Sequence, residues 1–215
     1  MNLSELLSQL SAAKCDYALY FHRQAAPPIF HATVARFKSA SIIKIPILLA
    51  WAHLEHLGEL SREELCNLDA EEQVQGAGFS WLLKGRRIPF HDALLMMIAT
   101  SDNLCTNLVI RRIGLERLQE IFQSQFNLTH TRLERRLMDY AARARGLDNW
   151  IGAEDGVRLF ELLNGLPADQ RKWVDEMFLA NQDSSLLKRN ILRDSLDFYH
   201  KTGSMGGVLH DWGYT

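Results

Sequence analysis

The stretch Phe37–Trp51, FKSASIIKIPILLAW, places a serine and a lysine at the head of an otherwise apolar helix. Ser41 stands where a strand-like segment gives way to helix, and Lys44 follows one turn later. Ile45, Ile47, Leu48, Leu49, Ala50 and Trp51 read as core. A lysine buried against such a face is costly unless it is paired or neutralised. Residues three apart share a helix face, so Lys44 comes within reach of Ser41. At a strand-to-helix junction a side chain can face a cleft while backbone N–H groups remain free. The Ser-x-x-Lys pattern alone is weak, because Ser11–Lys14 and Ser185–Lys188 repeat it.

Around this stretch the hydrophobic pattern changes period. Leu3, Leu6, Leu7 and Leu10 share a face of an N-terminal helix. Cys15–Arg23 alternates like a strand, turn residues follow at Ala26–Phe30, and His31–Phe37 reads as the second strand of a hairpin. From Ser39 to about Leu166 the pattern is almost wholly helical. Pro46 is tolerated there because it lies near a first turn. Ser61–Leu68 reads as a short helix capped by Ser61. Pro89–Gly114 reads as two helices interrupted at Ser101–Asn103, and Leu115–Phe126, Glu154–Leu166 and Ala168–Gln182 read as further amphipathic helices. Leu196–Thr215 reads as a strand, a glycine-rich turn and the start of another strand. The expected class is α+β. Residues 1–38 and 185–215 form an antiparallel sheet flanked by helices, and residues 39–184 form an inserted all-helical domain. The groove between two such domains is a usual ligand site.

Composition narrows the functional classes. The 215 residues are 47% hydrophobic and 23% charged with formal net charge −2, which argues against nucleic acid as the main partner. There is no run of 18 apolar residues, so no membrane span is expected. Glu5 interrupts what a signal peptide would need as an apolar core. As given, the chain reads as cytoplasmic, with a removed leader and periplasmic or extracellular residence as the alternative. Cys15, Cys66 and Cys105 lack metal-ligand spacing and read as free, mostly buried thiols. Neither a metal nor a cofactor is expected.

Two later motifs select the second Ser-x-x-Lys copy. Ser101-Asp102-Asn103 follows Ser41 by 60 residues, and Lys201-Thr202-Gly203 follows Ser101 by 100 residues. Each falls in a fitting setting: the first between helices, the second on the last strand pair. Ser-x-x-Lys, Ser-Asp-Asn and Lys-Thr-Gly in this order are the set of class A β-lactamases and penicillin-binding proteins. The chain resembles the serine β-lactamase and D,D-peptidase superfamily, on its class A side, over nearly its whole length. His200–Gly207 and Thr131–Trp150 contribute to the likeness.

The residue chemistry supports that resemblance. A serine hydroxyl is a poor nucleophile until a base takes its proton. Lys44 can be that base if burial and a nearby Lys201 hold it neutral. Ser101 can relay a proton to the leaving nitrogen, and Asn103 can hold a substrate amide. Lys201 and Thr202 can bind a carboxylate, and Gly203 lets the last strand run close to a ligand. The resemblance implies an oxyanion hole from the N–H groups of Ser41 and Ser204. His210 lies where many class A enzymes carry a carboxylate-binding arginine; it reads either as a weaker, pH-dependent cation or as a plain strand residue.

The chain departs from the class A pattern at two places. The Thr-Arg-Leu-x-Arg stretch at Thr131–Arg135 continues with Arg136, Leu137 and Met138, without the glutamate that activates the deacylating water. Glu134 and Asp139 are the available substitutes. The chain also stops at Thr215, where family members continue with another strand and a helix. An edge and an apolar face would then be open to a partner subunit or to a missing segment. The expected function is a serine hydrolase forming an acyl-enzyme with a small-molecule β-lactam or related amide, with slow deacylation. The alternatives are a D,D-peptidase-like enzyme acting on a D-Ala-terminated peptide, and a penicillin-binding sensor or vestigial domain.

Overall fold

A computed structural model describes residues 3–191 and 195–215. Its centre is α2 (Lys44–His56), the helix expected from the apolar stretch. Ile45 through Ala52 are all buried, so this helix is apolar on every side. A helix without a polar face must be surrounded. Around it pack α3 (Phe90–Ala99), α4 (Asn103–Ile113), α7 (Ala153–Asn164) and α8 (Ala168–Leu179). The amphipathic α1 (Leu3–Ala12) lies at the N-terminus, where Leu6, Leu7 and Leu10 are half-buried.

The strands are short and pair antiparallel. β1 (Ala18–Phe21) and β2 (Ile29–Ala32) form the expected first hairpin, with Ala18 opposite Ala32. The segment read as one strand, His31–Phe37, divides instead. Thr33 closes the hairpin by donating its N–H to the Tyr17 carbonyl at 2.9 Å and accepting from the Tyr17 N–H at 2.9 Å. The chain then bends, and β3 (Arg36–Lys38) pairs with β6 (Trp150–Gly152). The last hairpin joins β7 (Tyr199–Met205) to β8 (Val208–Tyr214) in continuous register, with Lys201 opposite Trp212. Phe160 of α7 stacks on Trp212 at 4.2 Å between ring centres and lies 5.6 Å from Tyr20, so both hairpins rest on the same helix.

Ser61–Leu68 is a turn followed by a strand rather than a capped helix. Glu64 does accept the Ser61 N–H, as a capping pair would. Arg112, however, holds the same carboxylate at 2.8 and 3.0 Å. β4 (Leu65–Asn67) then pairs with β5 (Arg87–Pro89). A non-local strand partner outweighs a single local helix turn, which is too short to be stable alone. The cysteines are free; Cys66 and Cys105 are buried as expected, whereas Cys15 is exposed. Among the described residues no helix is long and apolar enough to cross a membrane, and no group of three His, Cys, Asp or Glu side chains could hold a metal ion.

Candidate active site

Ser41 lies in a single 3₁₀ turn, Ala40–Ile43, between β3 and α2. Ala40 at its start has φ +44°, a left-handed conformation that non-glycine residues rarely adopt. Such strain persists where surrounding structure fixes it, and it recurs at functional sites. Here the buried Ile42 and Ile43 and the buried run Lys44–Ala52 of α2 provide the fixing.

Lys44, the first residue of α2, is completely buried. Its Nζ is 3.0 Å from Ser41 Oγ, 2.7 Å from the Ser101 carbonyl oxygen, 3.0 Å from Ser101 Oγ and 3.0 Å from Asn103 Oδ1. Two of these partners are carbonyl-type oxygens that only accept. They take two of the lysine N–H groups and leave the third tetrahedral position to the hydroxyls. The orientation of Asn103 is set independently, because its Nδ2 donates to the Gln75 carbonyl at 3.0 Å. Burial lowers the Lys44 pKa well below the usual lysine value, and the charge of Lys201 lowers it further. A neutral amine in this position turns its lone pair toward a serine hydroxyl.

Ser101 joins α3 to α4 with φ +57°. The turn is organised by Asp102, whose carboxylate caps α4 at the Cys105 N–H (2.9 Å) and accepts the Phe79 and Ser80 N–H groups at 2.8 Å each. Gly78 fits over this carboxylate because it has no side chain; a Cβ there would meet Asp102 at 2.2 Å. Ser101 is thus held on a rigid corner.

β7 forms the opposite wall. Lys201 is buried, and its Nζ is 3.1 Å from Ser101 Oγ and 2.7 Å from the Thr202 carbonyl. Burial lowers its pKa to about 8, against the charges of Asp183 and Asp211, which raise it. Gly203 lies directly against the Ser41 turn: a Cβ would sit 3.0 Å from the Ile42 nitrogen and 3.1 Å from the Ser41 nitrogen. Only glycine lets the strand approach this closely. Ser204 follows on the same strand and lines the cleft. Ser41, Ser101, Asn103, Lys201, Thr202, Gly203 and Ser204 all line one cleft of about 620 Å³, and Lys44 lies in direct contact with it through Ser41.

The chain belongs to the β-lactamase enzyme family.

The family model, described as the β-lactamase enzyme family, matches residues 2–215. Solved structures share the fold. The β-lactamase from Sphaerobacter thermophilus superposes with TM-score 0.87 at 22% identity, over 99% of this chain and 82% of that one. A point mutant of PBP-A, solved as an acyl-enzyme complex with penicillin-G, superposes with TM-score 0.84 at 23% identity, over 99% of this chain and 81% of that one. An ancestral class A β-lactamase gives 0.82 at 21% identity, over 99% of this chain and 84% of that one. No curated protein matches in sequence.

Within the family fold, three sequence candidates lie away from the cleft. Glu134 accepts the Asp148 N–H at 3.1 Å, and Asp139 caps α6 (Tyr140–Ala144) by accepting the Ala142 N–H at 2.8 Å. Neither lines the cleft, and the residues of that stretch that do include Leu137 and Met138. Each carboxylate is instead hydrogen-bonded to a backbone N–H elsewhere in the loop. His210 also turns away: its ring meets the Lys38 carbonyl at 2.8 Å, and burial lowers its pKa.

Two cleft-forming features had no motif to announce them. Asn107 grips the Leu137 peptide from both sides, accepting its N–H at 2.8 Å and donating to its carbonyl at 3.1 Å. A buried asparagine one turn after Asn103 is the available signal, since a buried amide must find partners. Arg135 holds Asp148 at 3.0 and 2.6 Å and closes the base of the same loop.

Proposed function

We propose that this protein is an acyl-transferring serine hydrolase in which Ser41 attacks a β-lactam or related amide and forms an acyl-enzyme. The reading rests on the Lys44 contacts, because they place a desolvated amine against Ser41 Oγ with its other positions occupied. Lys44 takes the hydroxyl proton as Ser41 attacks the carbonyl carbon. Ser101, which touches both Lys44 and Lys201, passes a proton to the departing nitrogen. The N–H groups of Ser41 and Ser204 receive the developing oxyanion, and Asn103 orients the substrate amide. Lys201 and Thr202 border the leaving-group side.

Deacylation is slow in this reading. Leu137 is the residue that Asn107 presents to the cleft, and an apolar side chain cannot activate water. The same observation favours a second reading, a D,D-peptidase-like enzyme for which β-lactams are slowly released pseudo-substrates. Exposure to fluorescent penicillin, followed by intact mass against time, tests both. A Ser41 adduct that persists supports the acyl-enzyme reading, and absence of any adduct refutes it.

A further inference from the structure

The mouth of the cleft carries a carboxylate beside the residue expected to bind substrate carboxylate. Thr202 Oγ1 donates to Asp183 Oδ2 at 2.7 Å, so the hydroxyl proton is already committed. Asp183 is oriented by its own turn: Oδ1 accepts the Ser185 N–H at 3.0 Å, and its N–H is held by Asn181 Oδ1 at 2.8 Å. Partial burial would raise its pKa, but the Ser185 and Thr202 hydrogen bonds and the Lys201 charge outweigh this and keep it ionised. Lys201, the cation on this wall, thus faces a carboxylate that is part of the protein. His210 supplies no second cation here, because burial lowers its pKa and its ring is turned to the Lys38 carbonyl, away from the residues lining the cleft.

With its O–H directed at Asp183, Thr202 Oγ1 offers only lone pairs to a ligand, and the Asp183 carboxylate offers more. An incoming carboxylate would meet these acceptors and a like charge that offsets the Lys201 cation, whereas an N–H group would find partners. We infer that Asp183 is a specificity-determining residue, and that this subsite selects substrates whose leaving half presents an amide N–H there instead of a free carboxylate. The substrate class is then an internal amide of a peptide-like chain, or one with a blocked carboxyl end. This rests on the acyl-enzyme reading of Ser41 and refines it.

The test uses two thioester probes with the same N-acylglycyl group. One carries mercaptoacetate as leaving group, the other mercaptoacetamide. Acylation rate per unit concentration is measured on the intact protein and on Asp183→Asn, with Ser41→Ala as control. The asparagine keeps an acceptor for the Ser185 N–H and removes the charge. The intact protein should prefer the amide probe, and Asp183→Asn should shift the ratio about two- to fivefold toward the carboxylate probe, the scale of one exposed charge pair. Benzylpenicillin, itself a carboxylate, should acylate Asp183→Asn faster by a similar factor. A carboxylate preference in the intact protein, or an unchanged ratio in the variant, overturns the inference while leaving Ser41 acylation standing. No adduct from either probe or from penicillin overturns the acyl-enzyme reading, and this inference with it.

Discussion

Lys44 and Lys201 converge on one oxygen: Ser101 Oγ lies 3.0 Å from the first Nζ and 3.1 Å from the second. Two ammonium groups would repel across a shared hydroxyl, and both are buried. Relief comes from losing a proton, and burial with mutual repulsion makes Lys44 the one to lose it. In the proposed mechanism the pair divides the work, with Lys44 as the neutral base beside Ser41 and Lys201 as the cation beside Thr202.

The nucleophile assignment is the first consequence. Ser41→Ala should abolish labelling by fluorescent penicillin, whereas Ser11→Ala and Ser185→Ala should label as the parent does. Labelling retained in Ser41→Ala, read by peptide mass mapping, would reject the assignment.

The two lysines should fail differently. Lys44→Ala removes the base and should slow acylation at saturation by about 10²–10⁴-fold. Lys201→Ala removes a cation from the leaving-group wall and should chiefly raise the concentration needed for half-maximal rate. Single-turnover acylation measured across substrate concentration separates the two effects. The same defect in both variants would contradict the division of roles.

The pH profile follows from the same pair. As pH falls, Lys44 gains a proton and ceases to be a base, so acylation declines on the acid side. As pH rises through about 8, Lys201 loses its proton and the leaving-group wall loses its cation, giving an alkaline limb for carboxylate-bearing β-lactams. Asp183 raises the Lys201 pKa, so Asp183→Asn should move that limb to lower pH. A limb that stays in place would show that Lys201 does not produce it.

In the proposed mechanism Leu137 governs the fate of the acyl-enzyme, because it lines the cleft. Asn107 fixes its peptide at 2.8 and 3.1 Å, so a replacement side chain leaves the backbone in the same direction, toward the cleft. Leu137→Glu should turn a one-equivalent burst with slow release into faster turnover, by at least about tenfold. It should also cost about 1–3 kcal/mol of stability, from placing a carboxylate at a nearly buried site. Glu134→Gln and Asp139→Asn should leave the slow rate unchanged, because both side chains are spent on backbone N–H groups. Stopped-flow bursts with benzylpenicillin, followed into steady state, test all three variants.

Much of this could be read along the chain. The apolar run after Ser41 required a buried helix, and Lys44 at its head was anomalous unless desolvation served a purpose. The order of Ser41, Ser101 and Lys201 motifs distinguished one Ser-x-x-Lys copy from two others, and the structure brings those three segments to one cleft. The final hairpin was legible because strand period and a glycine turn are local signals. Short-range information failed where a distant partner decided the outcome. Ser61–Leu68 became turn and strand because Arg112 and β5 hold it. Glu134, Asp139 and His210 looked available in sequence, yet each is turned to a hydrogen bond outside the cleft. Asp183 carries no motif at all; its meaning comes from Thr202, 19 residues onward, across a 2.7 Å contact. Which side chains could do chemistry is legible along the chain, because residue type and order are written there. Which of them face the same cleft emerges with folding, because side-chain direction depends on partners that the fold brings together.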